Sequence, residues 1–339
     1  MQPKNILLRL TTILLIASMT AVLLCGCGGK SGGGAKTELE RQLDGVCEYL
    51  DSVQEGVYHP GQSSSDWSVV IYSKTDREFD YKGFLKDMET YVTNQYKTEE
   101  KLGEYKATDW HHAILAIQAA GGDPEHFGTD PDGNPINLIA DGTYNWSMTD
   151  ELSYQGSNAL TYALIVLDSG NYEIPEGSKY TREGILNELL EYQDEDGAFA
   201  LGKGEQGSTD LTAITLQGLA PYYEKDPKVQ EAVDRALDYM AEQQQDSGLF
   251  LGLEGYTSET ISQTIMALCK LGKDPSQEER FTKVGGTLVD ALMQFKMDDG
   301  SFAHELPDDT SVTQDNLVSS IQAAQALEAL IELEKSVQK

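Results

Sequence analysis

The feature that most constrains the fold is a pattern that recurs roughly every fifty residues, a period typical of repeat architectures. Gly197, Gly248 and Gly300 each follow a stretch with helical apolar spacing, and a phenylalanine comes two positions after each glycine. Glycine ends helices readily because it accepts a left-handed backbone. The pattern therefore predicts a helix, a tight turn covered by an aromatic ring, and then a second helix.

The segment that follows each turn has the character of a buried helix. Such segments are apolar on nearly every side and contain small residues, whereas the helix predicted over 228–244 has a charged face. A helix that is apolar all round belongs in the interior, and an amphipathic helix belongs outside. The buried type recurs at 108–117, 157–167, 210–219, 259–268 and 316–330.

Alternation of these two kinds of helix predicts a closed ring. Six hairpins of outer and inner helices close naturally into a barrel, because that curvature buries the ends of the stack. An open solenoid would need shorter repeats and polar caps at both ends, and the sequence has neither. We expect an all-α fold, an (α/α)6 toroid of about twelve helices. They are predicted near 37–54, 65–75, 80–96, 108–121, 136–142, 155–169, 181–193, 209–223, 227–244, 258–271, 284–297 and 313–335.

The repeats also resemble a known motif. Gln193-x-x-x-Gly197-x-Phe199 and its copies resemble the QW repeat of squalene and oxidosqualene cyclases, with phenylalanine replacing tryptophan. The full pattern is similar to a group of prenyltransferase-like surface proteins of Gram-positive bacteria. Its matching phrases lie at 115–121, 167–175 and 219–223. The resemblance spans residue 40 to the C-terminus and implies the toroid of terpenoid cyclases and protein prenyltransferases. It implies no particular chemistry, since the same ring occurs in cobalamin carriers, thioester domains and enzymes.

The N-terminal segment predicts secretion and a lipid anchor. A basic start with Lys4 and Arg9 overlaps an apolar run over 6–24, as in a signal peptide. Leu24-Cys25-Gly26-Cys27 resembles the bacterial lipobox, in which cleavage precedes a cysteine that carries diacylglycerol, so Cys27 is the predicted lipidation site. An uncleaved anchor is the alternative. The predicted organisation is a signal peptide and lipobox over 1–27, a glycine-rich tether over 28–36, and the toroid over 37–339.

Charge and cysteine content exclude several partners. A net charge of −31 disfavours binding to phosphate backbones, so we expect no nucleic acid. It suits a protein on the outer face of the cell membrane of a Gram-positive bacterium. Cys47 and Cys269 lie in apolar helical patterns, which predicts core residues rather than a disulfide framework. We expect no metal and no cofactor.

An enzymatic interpretation depends on Asp210. In class II terpene cyclases an aspartic acid protonates an alkene from within an Asp-x-Asp-Asp motif, and Asp210 matches the position of that acid. The two acidic companions are replaced by Ser208 and Leu211, so the network that would supply the proton is missing. We therefore favour Asp210 as a helix N-cap that accepts from first-turn amides. A prenyltransferase zinc site is not expected, because Cys269 lies deep within a helix.

The amino-terminal ends of the inner helices should converge on one side of the ring, at what we call the amino-terminal mouth. Aromatic and amide groups around a concave end suit a small molecule, for which a corrinoid is one candidate, or a glycan or protein partner. The alternative is that these groups are helix caps and loop packing. The predicted mouth residues are Trp67, Asp109, His112, Trp146, Gln155, Asn158, Asp210, Tyr256, Glu259, Gln263 and Asn316.

The preferred function is a non-catalytic, lipid-anchored binding protein. A divergent cyclase-like or prenyltransferase-like enzyme with Asp210 as acid is the first alternative, and a structural or adhesion module is the second. An apolar, dry cavity around a buried Asp210 would favour the enzyme. A wet, acidic, aromatic-lined mouth would favour binding, and a centre filled by side chains would favour a scaffold.

Overall fold

The computed structural model describes residues 36–252, 255–306 and 316–337, and these form twelve α-helices and one short hairpin. The hairpin pairs β1 (Leu251–Gly252) with β2 (Gly255–Tyr256) in antiparallel register. The predicted signal peptide and nearly all of the tether lie outside the described residues. The helices are α1 (Glu38–Val53), α2 (Ser63–Tyr72), α3 (Tyr81–Gln95), α4 (Ala107–Ala119), α5 (Leu138–Gly142), α6 (Ser157–Ser169), α7 (Arg182–Leu190), α8 (Thr209–Leu219), α9 (Pro227–Gln243), α10 (Ser258–Lys270), α11 (Leu288–Met293) and α12 (Leu317–Val337).

The even-numbered helices form a closed inner ring. Each packs against the next, from α2 through α4, α6, α8 and α10 to α12, and α12 packs against α2. Among the odd-numbered helices, α1 packs on α12, α5 on α4, α7 on α6, α9 on α8 and α11 on α10. The expected (α/α)6 toroid is therefore confirmed.

Burial follows the difference between the two kinds of helix. Outer helix α1 buries only Leu43, Val46, Cys47 and Leu50, a stripe with helical spacing on an otherwise accessible helix. Inner helix α10, in contrast, buries every residue over 260–268. Burying a large aliphatic side chain stabilises a fold by roughly 1.5–3 kcal/mol. The inner ring therefore contributes most to stability where its helices pack against their neighbours.

The repeated turns follow outer helices and form hydrogen bonds to the next repeat. Gly197 has a φ of 95°, which favours glycine, and Phe199 is fully buried. The Gln193 Nε2 atom donates both to the Gly197 carbonyl oxygen (2.9 Å) and to the carbonyl oxygen of Ala232 on α9 (2.7 Å). The first residue of the motif thus ties its own turn to the neighbouring repeat.

The last repeat uses the same arrangement to close the ring. Gly300 has a φ of 89°, and Phe302 is fully buried. Lys296 stands at the position of the motif's glutamine, and its ammonium donates to the side chain of Gln42 on α1. The contact that joins successive outer helices therefore also joins the last repeat to the first helix.

Candidate functional site

All six inner helices of the described chain border a central cavity of about 470 Å³. Residues from the last turns of α10 and α12, among them Lys270, Glu332 and Ser336, are exposed at its rim. Of the predicted mouth residues, Trp67 and Gln263 line it. Its full lining is Trp67, Val70, Lys74, Leu115, Tyr162, Ile165, Gln217, Gln263, Met266, Cys269, Lys270, Gln325, Glu328, Ala329, Glu332, Leu333 and Ser336.

The walls of the cavity are largely hydrocarbon. Val70, Leu115 and Ile165 come from three successive inner helices, and Met266 faces them from α10. The rings of Trp67 and Tyr162 lie with their centroids 6.2 Å apart. Burial raises the pKa of Tyr162 to about 12, so its phenol stays protonated at neutral pH.

Two glutamines bring hydrogen-bonding groups to the cavity, and a third one links them to α12. The Gln217 amide donates to the Gln263 amide oxygen, and Gln263 Nε2 donates to Gln322 Oε1 at 2.8 Å. Gln217 and Gln263 are buried and line the cavity. An amide chain that links α8, α10 and α12 satisfies polar groups which would otherwise be costly to bury.

The rim carries charge of both signs. Lys74 Nζ lies 2.8 Å from Glu332 Oε1 and 3.7 Å from Glu328 Oε1. Burial raises the pKa of Glu328 to about 7, although the Lys74 ammonium opposes this. Near neutral pH, Glu328 is therefore only partly ionised.

Lys270 differs from Lys74, because it makes no ion pair with any residue in the described ranges. Its side chain is exposed to solvent at the rim of the cavity and lies against protein on its other sides. This enclosure lowers the pKa of Lys270 to about 8, against the opposing charges of Glu328, Asp168 and Glu332.

Cys269 borders the same cavity, whereas the sequence places it in the core. It is only partly buried, because the end of α10 lies at the rim rather than inside the packed ring. Burial still raises the pKa of its thiol to about 12, so the thiolate is scarce at neutral pH. Cys47, in contrast, is buried as expected.

The predicted mouth residues of the amino ends mostly link neighbouring inner helices. Gln155 Oε1 accepts from the Thr108 hydroxyl at 3.0 Å, and Asp210 Oδ1 accepts from the Thr260 hydroxyl. Glu259 Oε1 accepts from the Ser319 hydroxyl at 2.8 Å. These contacts join α4 to the turn before α6, α8 to α10, and α10 to α12.

A buried acid–histidine pair joins α2 to α4. Asp66 is fully buried, and its Oδ2 lies 2.7 Å from His112 Nδ1, while Asp109 Oδ1 lies 3.8 Å from His112 Nε2. Burial alone lowers the pKa of His112, but Asp109 and Asp66 outweigh it and raise the value to about 9. Asp66 is not among the site residues predicted from the sequence. An acidic residue inside an otherwise apolar helix was the signal that could have indicated it.

Three further predicted residues lie in loops or the core. Trp146 is fully buried and packs edge-on against Trp110, with ring centroids 5.2 Å apart, so it cannot contact a ligand and its assignment to the mouth is corrected. Asn316 is buried with its amide 3.5 Å from the Ser301 hydroxyl, and Tyr256 on β2 is exposed. Asn158 lies half-buried in the first turn of α6.

The expected N-cap role of Asp210 is also corrected. Helix α8 begins at Thr209, and the cap is Ser208, whose hydroxyl accepts from the Leu211 amide at 3.3 Å. Asp210 already lies within the first turn, where its side chain reaches Thr260 instead. Its carboxylate is not part of the cavity lining.

The described residues bear on two further possibilities, a metal site and a membrane-spanning helix. Within the described ranges, no cluster of three or more histidine, cysteine or acidic residues has the geometry of a metal site. Across the same residues, no helix combines the length and apolar character needed to span a bilayer.

Comparison with known proteins identifies the fold. No family model and no curated protein sequence matches the chain. A Candida albicans protein geranylgeranyltransferase-I superimposes with a TM-score of 0.56 at 10% identity, covering 87% of this chain and 92% of that one. An unsaturated glucuronyl hydrolase from Bacillus sp. GL1 gives 0.55 at 12%, covering 88% and 97%. A type II terpene cyclase from Scytonema gives 0.54 at 11%, covering 87% and 97%. At these identities the likeness defines the chain as an α/α toroid protein and goes no further.

Proposed function

We propose that this toroid is a binding protein that holds a small organic molecule in its central cavity. The observation that carries the proposal is the cavity itself, since about 470 Å³ bordered by all six inner helices is within the range of ligand sites, roughly 300–1,000 Å³. Apolar walls and a few convergent polar groups are the usual composition of such sites. A concave, hydrocarbon-walled cavity that is open at one end suits a small molecule better than a glycan or protein partner, which would need a broad exposed surface.

The enzymatic alternative receives less support from the geometry. A catalytic acid must come within hydrogen-bond reach of the reacting atom, and Asp210 is engaged with Thr260 outside the cavity lining. The structural neighbours include a transferase, a cyclase and a hydrolase, so the fold does not select a reaction. A scaffold role is disfavoured because the centre of the ring is open rather than filled by side chains.

Filling the cavity tests the proposal. We expect Ala329→Trp to place an indole in the cavity and weaken binding of the neutral apolar dye Nile red by about tenfold or more, equivalent to ~1.4 kcal/mol. The measurement is a fluorescence titration of the full chain. Val318→Trp, an exposed position on the same helix α12, is the matched control and should leave the affinity unchanged. Equal dye affinity in the wild type and Ala329→Trp would refute cavity binding.

We further propose that the ring is displayed outside the cell on a lipidated Cys27, which follows from the lipobox-like segment. In a Gram-positive host fed labelled palmitate, the full chain should incorporate label and fractionate with membranes. Cys27→Ser should abolish labelling, whereas Cys25→Ser should not, because Gly26 still precedes the modified cysteine. Label that persists in Cys27→Ser would contradict this anchor.

A further inference from the structure

We propose that the cavity is built for an anionic amphiphile, a molecule with an extended apolar body and a single carboxylate that pairs with Lys270 at the rim. This inference rests on the proposed binding function and names its ligand class. Its basis is the distribution of charge around one end of an otherwise hydrocarbon-walled space.

The charged groups around Lys270 leave its ammonium as the accessible positive charge. Just after α2, Lys74 is held by Glu332 and Glu328 of α12. At the end of α6, Asp168 is engaged by Arg182, with Nε and Oδ1 3.0 Å apart. The α4 and α8 contributions to the lining, Leu115 and Gln217, are uncharged, as is the protonated Tyr162 of α6. Within the described residues, Lys270 has no ion-pair partner of its own.

A carboxylate beside Lys270 would stabilise the charged form of its ammonium, which the surrounding protein disfavours. An ammonium that lies against protein on several sides loses part of its hydration, and this disfavours its charged form unless an anion lies close. The depressed pKa of Lys270 is consistent with that loss. A single free cation next to two glutamates favours a monoanion, since a diphosphate would meet repulsion from Glu328 and Glu332 without enough positive charge to offset it.

The depth of the cavity sets the orientation of the ligand. Lys270 lies two helical turns beyond Gln263 on α10, a rise of about 10 Å along the axis. The apolar body would therefore run inward along Val70, Leu115 and Met266, and the carboxylate would stay at the solvent-facing rim. This order keeps the anion hydrated on one side and buries only the hydrocarbon, which is the favourable arrangement.

The charge balance also predicts the direction of a pH effect. Below about pH 7, Glu328 becomes protonated and its charge no longer repels a bound carboxylate, while Lys270 remains charged. Between about pH 7 and 9 the glutamate ionises and the lysine loses its proton. Both changes weaken attraction for an anion, so carboxylate affinity should fall across this interval while the affinity of a neutral analogue stays level.

The test compares dodecanoate with dodecanol as competitors for Nile red bound to the full chain. At pH 6.5 we expect dodecanoate to bind about ten- to hundredfold more tightly than dodecanol, the range for a hydrogen bond to a charged group. Lys270→Met should abolish this preference, and Lys270→Arg should keep it and extend it to pH 9, because arginine stays charged there. Lys228→Met, on the exposed face of α9, is the control and should keep the preference.

The outcomes separate this inference from the function on which it rests. If both competitors displace the dye equally and Lys270→Met leaves their ratio unchanged, the anionic ligand class is wrong while cavity binding stands. If neither the dye nor either competitor binds the wild type, the proposed function fails and the ligand class fails with it.

Discussion

Replacing Gly300 with alanine is expected to lower the free energy of unfolding by about 2–5 kcal/mol, because it disturbs the contact that closes the ring. A Cβ atom at this position would lie 2.5 Å from the carbonyl oxygen of Gly45 on α1. That neighbour is backbone and cannot rotate away. Alanine would add the cost of a left-handed backbone, about 1–2 kcal/mol, to a local overpacking cost of about 1–3 kcal/mol. Urea unfolding of the full chain, followed by far-ultraviolet circular dichroism, measures the loss.

A second glycine separates the backbone cost from the packing cost. Gly133 has a φ of 84°, close to the 89° of Gly300, but a Cβ there would meet nothing within 4 Å. Gly133→Ala should therefore cost only the backbone contribution, about 1–2 kcal/mol. Gly197→Ala, whose Cβ would lie 2.7 Å from the Arg235 carbonyl oxygen, should resemble Gly300→Ala. Equal losses for Gly300→Ala and Gly133→Ala would mean that the closing contact is not tight.

The helices were predictable because their signals are local. The spacing of apolar residues, the glycine that ends a helix and the phenylalanine that follows it all lie within one repeat. Helix α9, expected over 227–244, is Pro227–Gln243, and α10, expected over 258–271, is Ser258–Lys270. The alternation of inner and outer helices was then predictable as well, because it requires only that neighbouring repeats pack in the same way.

Departures occur where a backbone feature overrides the apolar pattern. Helix α11 was expected over 284–297 but is only Leu288–Met293. Gly286 has a φ of 116°, and Thr287 forms a capping box with Asp290, so the helix cannot begin earlier. Helix α8 was expected to reach residue 223, yet it ends at Leu219 and a short 3-10 turn containing Pro221 follows.

The site was harder to predict because it depends on contacts between helices. Spacing along one helix places Asp210 near the start of α8, but it does not show that the Thr260 hydroxyl of α10 donates to it. In contrast, Gln263 and Lys270 are seven residues apart and share one face of α10, so their common orientation was readable from the sequence. The sequence does not show that the helices across the ring are far enough apart to leave this face of α10 exposed to the cavity.

Replacing His112 with leucine should cost about 3–5 kcal/mol of stability at pH 7, the range for breaking a buried ion pair. The substitution leaves the fully buried Asp66 without its hydrogen-bonded cation. His126→Leu is the matched control, because the exposed His126 lies 3.0 Å from Asp123, a similar separation in full solvent. Exposed pairs contribute about 0–1 kcal/mol, so the control should change little. Comparable losses at both histidines would show that burial does not strengthen the Asp66 pair.

The same pair should make the stability of the wild-type chain depend on pH in a defined direction. The pKa of His112 is raised to about 9 from an unfolded value of 6.5, so its stabilisation is complete below pH 6.5 and is lost as pH rises through 9. At about 1.4 kcal/mol for each pKa unit, the full effect is roughly 3 kcal/mol as an upper limit. Burial also raises the pKa of Asp66, so the reference must lack both groups, and urea titrations from pH 6 to 9.5 should show the difference between wild type and an Asp66→Leu/His112→Leu double variant shrinking with pH. A constant difference would mean that the imidazole is neutral throughout and acts through packing alone. An Asp66→Leu/His112→Leu double variant should then be more stable than His112→Leu at pH 7, since it removes the stranded carboxylate.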